Sequence, residues 1–275
     1  MSSAEPGQHR RRTVKLNLRE RLFLGLYCYP PPGRASVVPG GQEGPLQANP
    51  LGIFTASFGQ PFLDAIHDRR VLDIGCGDGD QVVGLALQGA KCAIGAEVRP
   101  IYSGMKQLAK ELGLGDRAVF TQAPVTDLGE ASVDVVISQN SFEHFSQPDA
   151  ILSAARYVLK PGGRCFITFA PPWLNPFGVH QFFMIRLPWA HFVFSEKTIL
   201  TVRKLYRDED AERYADIEGG LNKMTIRKFR RLVRESGFRI RTLSATPIRY
   251  TPPFLSKLPG IQEFVTSRVS AELEK

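Results

Sequence analysis

The chain has 275 residues, 43% of them hydrophobic and 23% charged, with a formal net charge of +8. That is the composition of an ordinary globular protein of one large domain or two small ones, and it excludes wholesale disorder, a collagen-like repeat and a coiled coil. No stretch approaches the roughly 18 consecutive apolar residues of a membrane helix, since the longest candidate, Leu22 to Tyr29, is too short, which leaves a soluble protein with room for a peripheral membrane contact.

Cys28, Cys76, Cys92 and Cys165 are widely spaced and form no CxxC pair. Neither a zinc knuckle nor a disulfide framework is indicated, and a reducing, cytoplasmic compartment is expected. The start of the chain lacks the apolar core and small-residue cleavage site of a secretory signal, and Glu5 and Glu20 speak against a transit peptide. The positive charge is concentrated. Arg10, Arg11, Arg12, Lys15, Arg19 and Arg21 form one group, and between Lys223 and Arg241 eight Lys or Arg stand against the single acid Glu235. Such patches attract anionic partners, although a charge run of this kind is most often a solvated helix face.

In chain order, Leu16, Leu18, Leu22, Phe23 and Leu26 suggest an amphipathic helix over residues 17–27 that packs on the domain or covers a site. A Pro/Gly-rich stretch from Tyr29 to Pro50 reads as a linker. The expected organisation is therefore an N-terminal basic and amphipathic segment over residues 1–50 and a folded domain over 51–275. Beyond Pro50, branched apolar runs alternate with helical periods, the signature of a parallel sheet of βα units. The strands are Val71 to Ile74, Lys91 to Ala96, Ala118 to Thr121, Val133 to Ser138 and Arg164 to Phe169. A helix is expected from Pro148 to Lys160, with Pro161-Gly162-Gly163 as its stop, and another from about Thr225 to Ser236, ended by Gly237. Arg239 to Thr246 and Val265 to Leu273 follow, the second with the period of two of a strand. Residues 172–222 break the alternation with Trp173, Phe177, Phe182, Phe183, Trp189, Phe192 and Phe194, and an insertion of this length more often forms a lid or binding wall than an idle loop.

The sharpest local signal is Val71-Leu72-Asp73-Ile74-Gly75-Cys76-Gly77-Asp78-Gly79, a buried strand and a glycine turn leading into a helix from about Asp80. Glycines there let the backbone turn tightly and approach a ligand at the carboxyl end of a strand. The spacing is GxGxG, and Asp80 stands where the dinucleotide motif GxGxxG has its third glycine. About twenty residues on, the next strand ends at Glu97, where an acid accepts both hydroxyls of a ribose. Together these features indicate a nucleoside ligand. The alternative reading has Glu97 cap a helix starting near Pro100.

With these residues in place the chain resembles the class I S-adenosylmethionine-dependent methyltransferases of the VLDIGCGxG branch, over roughly residues 60–275. The resemblance rests on the glycine turn, Glu97, Ser132-Val133-Asp134-Val135-Val136-Ile137-Ser138, Phe142-Glu143-His144, and Leu159-Lys160-Pro161-Gly162-Gly163. It implies an α/β, Rossmann-like doubly wound sheet, mostly parallel, with a C-terminal antiparallel hairpin and the aromatic insertion as a lid. It implies S-adenosyl-L-methionine as cofactor, with Asp73, Gly75, Cys76 and Gly77 at the methionine end, Glu97 at the ribose, and Gln139 and Asn140 lining the site. Where many members carry an Asp for the adenine amino group, this chain has Pro124. Gln122 or the backbone of Val125 takes that role, and Asp127 caps a turn.

The candidates for catalysis are His144 after the fourth strand and His180 in the insertion, as general bases for a hydroxyl acceptor. Each also has a structural reading. A metal site from Glu143, His144, His180 and His191 is chemically conceivable, but no short ligand spacing supports one, and no metal is expected. The leading reading is methyl transfer to a small molecule, apolar or aromatic, at oxygen. The alternatives are a nucleic-acid or protein methyltransferase using the basic surface, a nicotinamide oxidoreductase, and a non-catalytic cofactor-binding protein. Nucleic acid is disfavoured because the basic helix lacks the interleaved aromatics of a stacking surface.

Overall fold

The computed structural model describes residues 14–31, 47–99, 103–217, 219–252 and 254–275. The arginines Arg10, Arg11 and Arg12, most of the Pro/Gly-rich stretch, Pro100 and Glu218 lie outside the described residues. A seven-stranded sheet runs in the order β3-β2-β1-β4-β5-β7-β6. Its strands are β1 (Arg70–Ile74), β2 (Cys92–Ala96), β3 (Ala118–Thr121), β4 (Val133–Gln139), β5 (Leu159–Phe169), β6 (Arg239–Pro247) and β7 (Thr266–Glu274). The first five are parallel, and β7 lies antiparallel between β5 and β6. This is the expected doubly wound sheet with its closing hairpin.

The period of two in the strands divides the interior into two cores. Leu72 and Ile74 of β1, Ile94 and Ala96 of β2, Val136 of β4 and Cys165, Ile167 and Phe169 of β5 face one side. Val71, Ala93, Val135, Ile137 and Phe166 face the other. On the first face pack α6 (Pro148–Val158) and α9 (Ile226–Glu235). The second face carries α2 (Gly52–Phe58), α3 (Gln60–Ile66), α4 (Asp80–Leu87) and α5 (Ser103–Glu111).

The helix that begins at Pro148 ends at Val158, two residues short of the expected Lys160. Leu159 is already extended and pairs with Val133, after which the register shifts so that Val135 faces Arg164. Pro161-Gly162-Gly163 is thus an excursion within β5, held by backbone bonds between Gly162, Gly163 and Lys275, not a stop between elements. In α9, the Thr225 hydroxyl accepts from the Lys228 amide, Ile226, Phe229, Leu232 and Val233 turn inward, and Gly237 follows at φ +78°.

The remaining elements build a third core. From the insertion come α7 (Ala190–Val193), α8 (Glu196–Arg203) and a 3₁₀ turn at Tyr214–Asp216, and α1 (Leu18–Tyr27) packs on them. Asn17 and Glu20 form a capping box at the start of α1. The packed face of α1 differs from the expected one. Phe23 is fully buried, with its ring 4.8 Å from Phe194, whereas Leu18, Leu22 and Leu26 are exposed. Phe23 and Tyr27 are spaced i, i+4 and both meet Phe194, so the aromatic pair decides the rotation of the helix over the leucine stripe. A short helix, α10 (Gln262–Val265), precedes β7. Among the described residues no helix is long and apolar enough to cross a membrane.

Candidate functional site

The carboxyl ends of β1, β2 and β4 meet at the point where the strand order reverses, the place where open α/β sheets hold ligands. The glycine turn leaves β1 here. Gly75 sits at φ +76°, and a Cβ on it would come within 2.7 Å of Ser141 Cβ, so the close approach of the β4 end excludes any side chain. Gly77 is also left-handed, at φ +53°, but nothing lies within 4 Å of where its Cβ would be. Gly75 is required by packing, as is Gly79, where a Cβ would meet the Phe120 ring at 2.5 Å, and Gly77 opens a space over the turn.

Asp73 is 1% exposed, and neither carboxylate oxygen has a partner. Burial, aided by the negative charge of Glu97, pushes its pKa up to about 8. Glu97 closes the other side of the turn: it accepts from the Gly77 amide at 3.1 Å and from the Arg99 amide at 3.2 Å, and pairs with the Arg99 guanidinium at 3.3 Å. Glu97 is thus engaged by the glycine turn and Arg99, while Pro100, where the alternative reading starts a helix for it to cap, lies outside the described residues. Cys76 is buried beside both acids, which raises its thiol pKa and makes it a packing residue of the turn.

Gln139 Oε1 and Asn140 Oδ1 at the end of β4 are buried without partners, and Asn140 is left-handed at φ +51°. A buried carboxylate at the end of β1 and two buried amide oxygens at the end of β4, all unsatisfied, make these strand ends acceptor-rich and suited to a ligand that donates hydrogen bonds and carries positive charge. Gln122 is exposed and bonds to the Val98 carbonyl at 3.2 Å, while Val125 opens a 3₁₀ turn whose N-cap is Pro124. The Asp127 amide completes that turn on the Pro124 carbonyl.

Beside the glycine turn, the loop after β4 carries Phe142, Glu143 and His144. Asn222, at the far end of the insertion, ties this loop down by donating its amide hydrogens to the carbonyls of Phe142 and Phe145, both at 2.8 Å. His144 Nδ1–H donates to the Gly220 carbonyl at 2.7 Å, and His180 Nε2–H donates to the Pro171 carbonyl at 2.9 Å. The two rings stand 5.3 Å apart, edge to face. Since a carbonyl only accepts, each bond fixes a tautomer and leaves a lone pair on His144 Nε2 and on His180 Nδ1. Burial lowers both pKa values, that of His180 to about 4, so both rings are neutral at physiological pH. The charge of Arg99, which pairs with Glu97, adds to the lowering for His144.

Glu143 is 1% exposed; Oε1 accepts from the Ala170 amide at 3.0 Å and Oε2 has no partner. Burial raises its pKa to about 7. His191 stands apart, with Nε2–H on the Trp173 carbonyl and its ring against Trp173. The insertion's aromatics divide. Trp173 and Phe194 join the third core, while Phe182, Phe183, Trp189 and Phe192 are exposed. No sequence signal brings Gly220 to His144 or Arg99 to Glu97; Ser141 and Asn222, too, are seen only in the fold.

The basic stretch divides as well. Arg239 and Arg241 pair with Glu274, Arg241 also with Glu272, and Lys223 with Glu196. The arginines of α9 lie on its exposed outer face, opposite the core. A cavity of about 360 Å³, lined by Asp64, Asp134, Lys160 and Arg164, lies at the amino ends of the strands, opposite the site.

Residues 72–167 match the profile of a family described as a methyltransferase domain. An uncharacterised methyltransferase of Mycobacteroides abscessus is 26% identical over 211 residues, 74% of this chain and 76% of that one. A ubiquinone biosynthesis O-methyltransferase of Bordetella avium is 32% identical over 132 residues, 45% of this chain and 51% of that one, so the match spans about half of that enzyme. Magnesium protoporphyrin IX methyltransferase from Synechocystis PCC 6803, solved with bound S-adenosylhomocysteine, shares the fold with a TM-score of 0.51 at 16% identity, covering 87% of this chain and 90% of that one. The sheet order, the glycine turn and these matches define a methyltransferase. Residues 72–167 carry a methyltransferase domain, and the sheet around them has the fold of S-adenosylmethionine-dependent methyltransferases of known structure.

Proposed function

We propose that the protein transfers the methyl group of S-adenosylmethionine to a hydroxyl of a small-molecule acceptor bound between the glycine turn and the insertion. The observation that carries this reading is the pair of neutral imidazoles, His144 and His180, each with a free lone pair and the first on the loop that Ser141 ties to the glycine turn. A hydroxyl nucleophile needs a group to accept its proton, and an imidazole held in one tautomer by a backbone carbonyl is suited to that task.

When bound, the cofactor supplies a sulfonium methyl for in-line displacement. The chain's contribution is placement. Asp73, buried and unpartnered, takes the ammonium of the methionine end, and the open space over Gly77 admits its backbone. Glu97 receives the ribose hydroxyls by exchanging its bonds to Arg99, and Gln139 and Asn140 offer their unpaired amide oxygens beside it. Gln122 and the Val125 backbone border the adenine in place of the usual acid. His144 or His180 then accepts the hydroxyl proton as the oxygen–methyl bond forms.

The relative from Bordetella avium is an O-methyltransferase, which supports oxygen as the accepting atom. A small acceptor is favoured over nucleic acid because the outward arginines of α9 carry no exposed aromatics among them. The four unpaired thiols support a reducing compartment such as the cytoplasm. Incubation with labelled S-adenosylmethionine and a panel of phenols, hydroxy acids and amines tests the reading. Label transfer to oxygen acceptors is expected; transfer only to RNA or protein would refute it.

A further inference from the structure

Glu143, His144 and His180 each present one ligating atom within 4.8 Å of the other two. We propose that these three side chains form a binding site for a first-row divalent cation, with zinc the best match to the donor set. Two imidazoles and one carboxylate are a recurrent ligand set for such ions, and three protein ligands leave positions open for an exogenous oxygen.

Two further observations point to a cation. Glu143 Oε2 is buried with no partner, an arrangement that costs free energy unless a ligand completes it. Each donor is also already oriented from behind by the backbone: the Gly220 carbonyl holds His144, the Pro171 carbonyl holds His180, and the Ala170 amide holds Glu143. Metal-binding histidines characteristically donate their second ring N–H to a carbonyl or carboxylate, which fixes the tautomer and raises ligand basicity. Here both do. His180 adopts φ +56°, an uncommon conformation for a residue with a side chain, and it turns the ring towards His144.

The four segments that supply donors and supports are the loop after β4, the end of β5 and both ends of the insertion, so a bound cation would tie the insertion to the sheet. Both rings are only partly buried, which leaves one side of the site open. Resting on the proposed methyl transfer to oxygen, the cation would occupy the lone pairs of both imidazoles and so take over from them the activation of the acceptor hydroxyl, holding it and lowering its pKa.

Cobalt(II) titrated into chelator-treated protein, followed by visible absorption and by zinc competition, tests the site without reference to turnover. One equivalent with the spectrum of nitrogen and oxygen ligation is expected. His180→Ala and His144→Ala should each weaken binding by at least about 10-fold, as losses around metal sites do. S-adenosylhomocysteine affinity, measured in parallel, shows that both variants are folded. Binding that survives both substitutions, a thiolate charge-transfer band, or no stoichiometric binding by the unaltered protein would overturn the proposal. Metal binding with no methyl transfer to any oxygen acceptor would uphold the site and overturn only the reading of its use.

Discussion

The Ser141 hydroxyl donates to the carbonyl of Gly75 at 2.8 Å, binding the end of β4 to the glycine turn of β1. Because Gly75 leaves no room for a Cβ at this contact, the turn is packed directly against the loop that carries Glu143 and His144. The cofactor cradle and the proposed chemistry thereby share a single backbone junction.

Ser141→Ala removes that tie. Stability is expected to fall by about 1 kcal/mol, the net worth of an ordinary hydrogen bond, and cofactor affinity to fall severalfold with it. Denaturant titration and calorimetry with S-adenosylhomocysteine measure the two effects, and an unchanged affinity would uncouple the junction from the cradle.

Asp73 makes the cofactor-free protein sensitive to pH. In the folded chain burial and Glu97 raise its pKa from 3.8 to about 8, so between those values the folded state holds a proton that the unfolded state has lost. Its stabilising contribution is therefore complete below the lower value and is lost as pH rises through the upper one. An ammonium seated against the carboxylate reverses the shift. Cofactor binding should release a proton within this window and tighten as pH rises towards about 8, as calorimetry in buffers of different ionisation enthalpy would reveal. Asp73→Asn should abolish both the proton release and the slope.

His144→Ala and His180→Ala should each reduce turnover by about 10²-fold or more, the size of a lost general base, with S-adenosylhomocysteine affinity little changed. Steady-state kinetics on an identified acceptor decide this. Full activity in both variants would leave placement alone to account for the rate and return both histidines to a structural role.

Phe23→Ala should destabilise the packing of α1 on the insertion by about 3 to 5 kcal/mol, the cost of an emptied aromatic site, whereas Leu22→Ala should shift stability by no more than about 0.5 kcal/mol. Limited proteolysis would show earlier cleavage in the insertion for the first variant alone. Equal effects would contradict the observed rotation of α1.

Much of the sheet is legible in the sequence because its strands are short branched apolar runs set between helical periods and its first turn is marked by closely spaced glycines. Val71 to Ile74 and Ala118 to Thr121 follow from their apolar runs, the last strand from its period of two, and Asp73, Gly77 and Glu97 from their places at strand ends. What escapes is set by tertiary contacts. The leucines of α1 outnumber Phe23, yet Phe194 lies 171 residues away and decides which face is buried. The Pro-Gly-Gly after Val158 reads as a stop, but pairing with the C-terminal Lys275 keeps it inside β5. His144 and His180 are visible as isolated residues. Their meeting beside Glu143 depends on carbonyls at Gly220 and Pro171 that no pattern of side chains announces.

The central claim, that the cradle formed by Asp73, Gly77 and Glu97 holds the sulfonium cofactor, is tested most directly by titration calorimetry of S-adenosylmethionine into the unaltered protein and into Glu97→Ala. The account predicts one site in the unaltered protein and a loss of roughly 1.5 to 3 kcal/mol in the folded variant, the range for a hydrogen bond to a charged group. Equal affinity in the two proteins, or tighter binding of a nicotinamide dinucleotide than of S-adenosylmethionine, would contradict it.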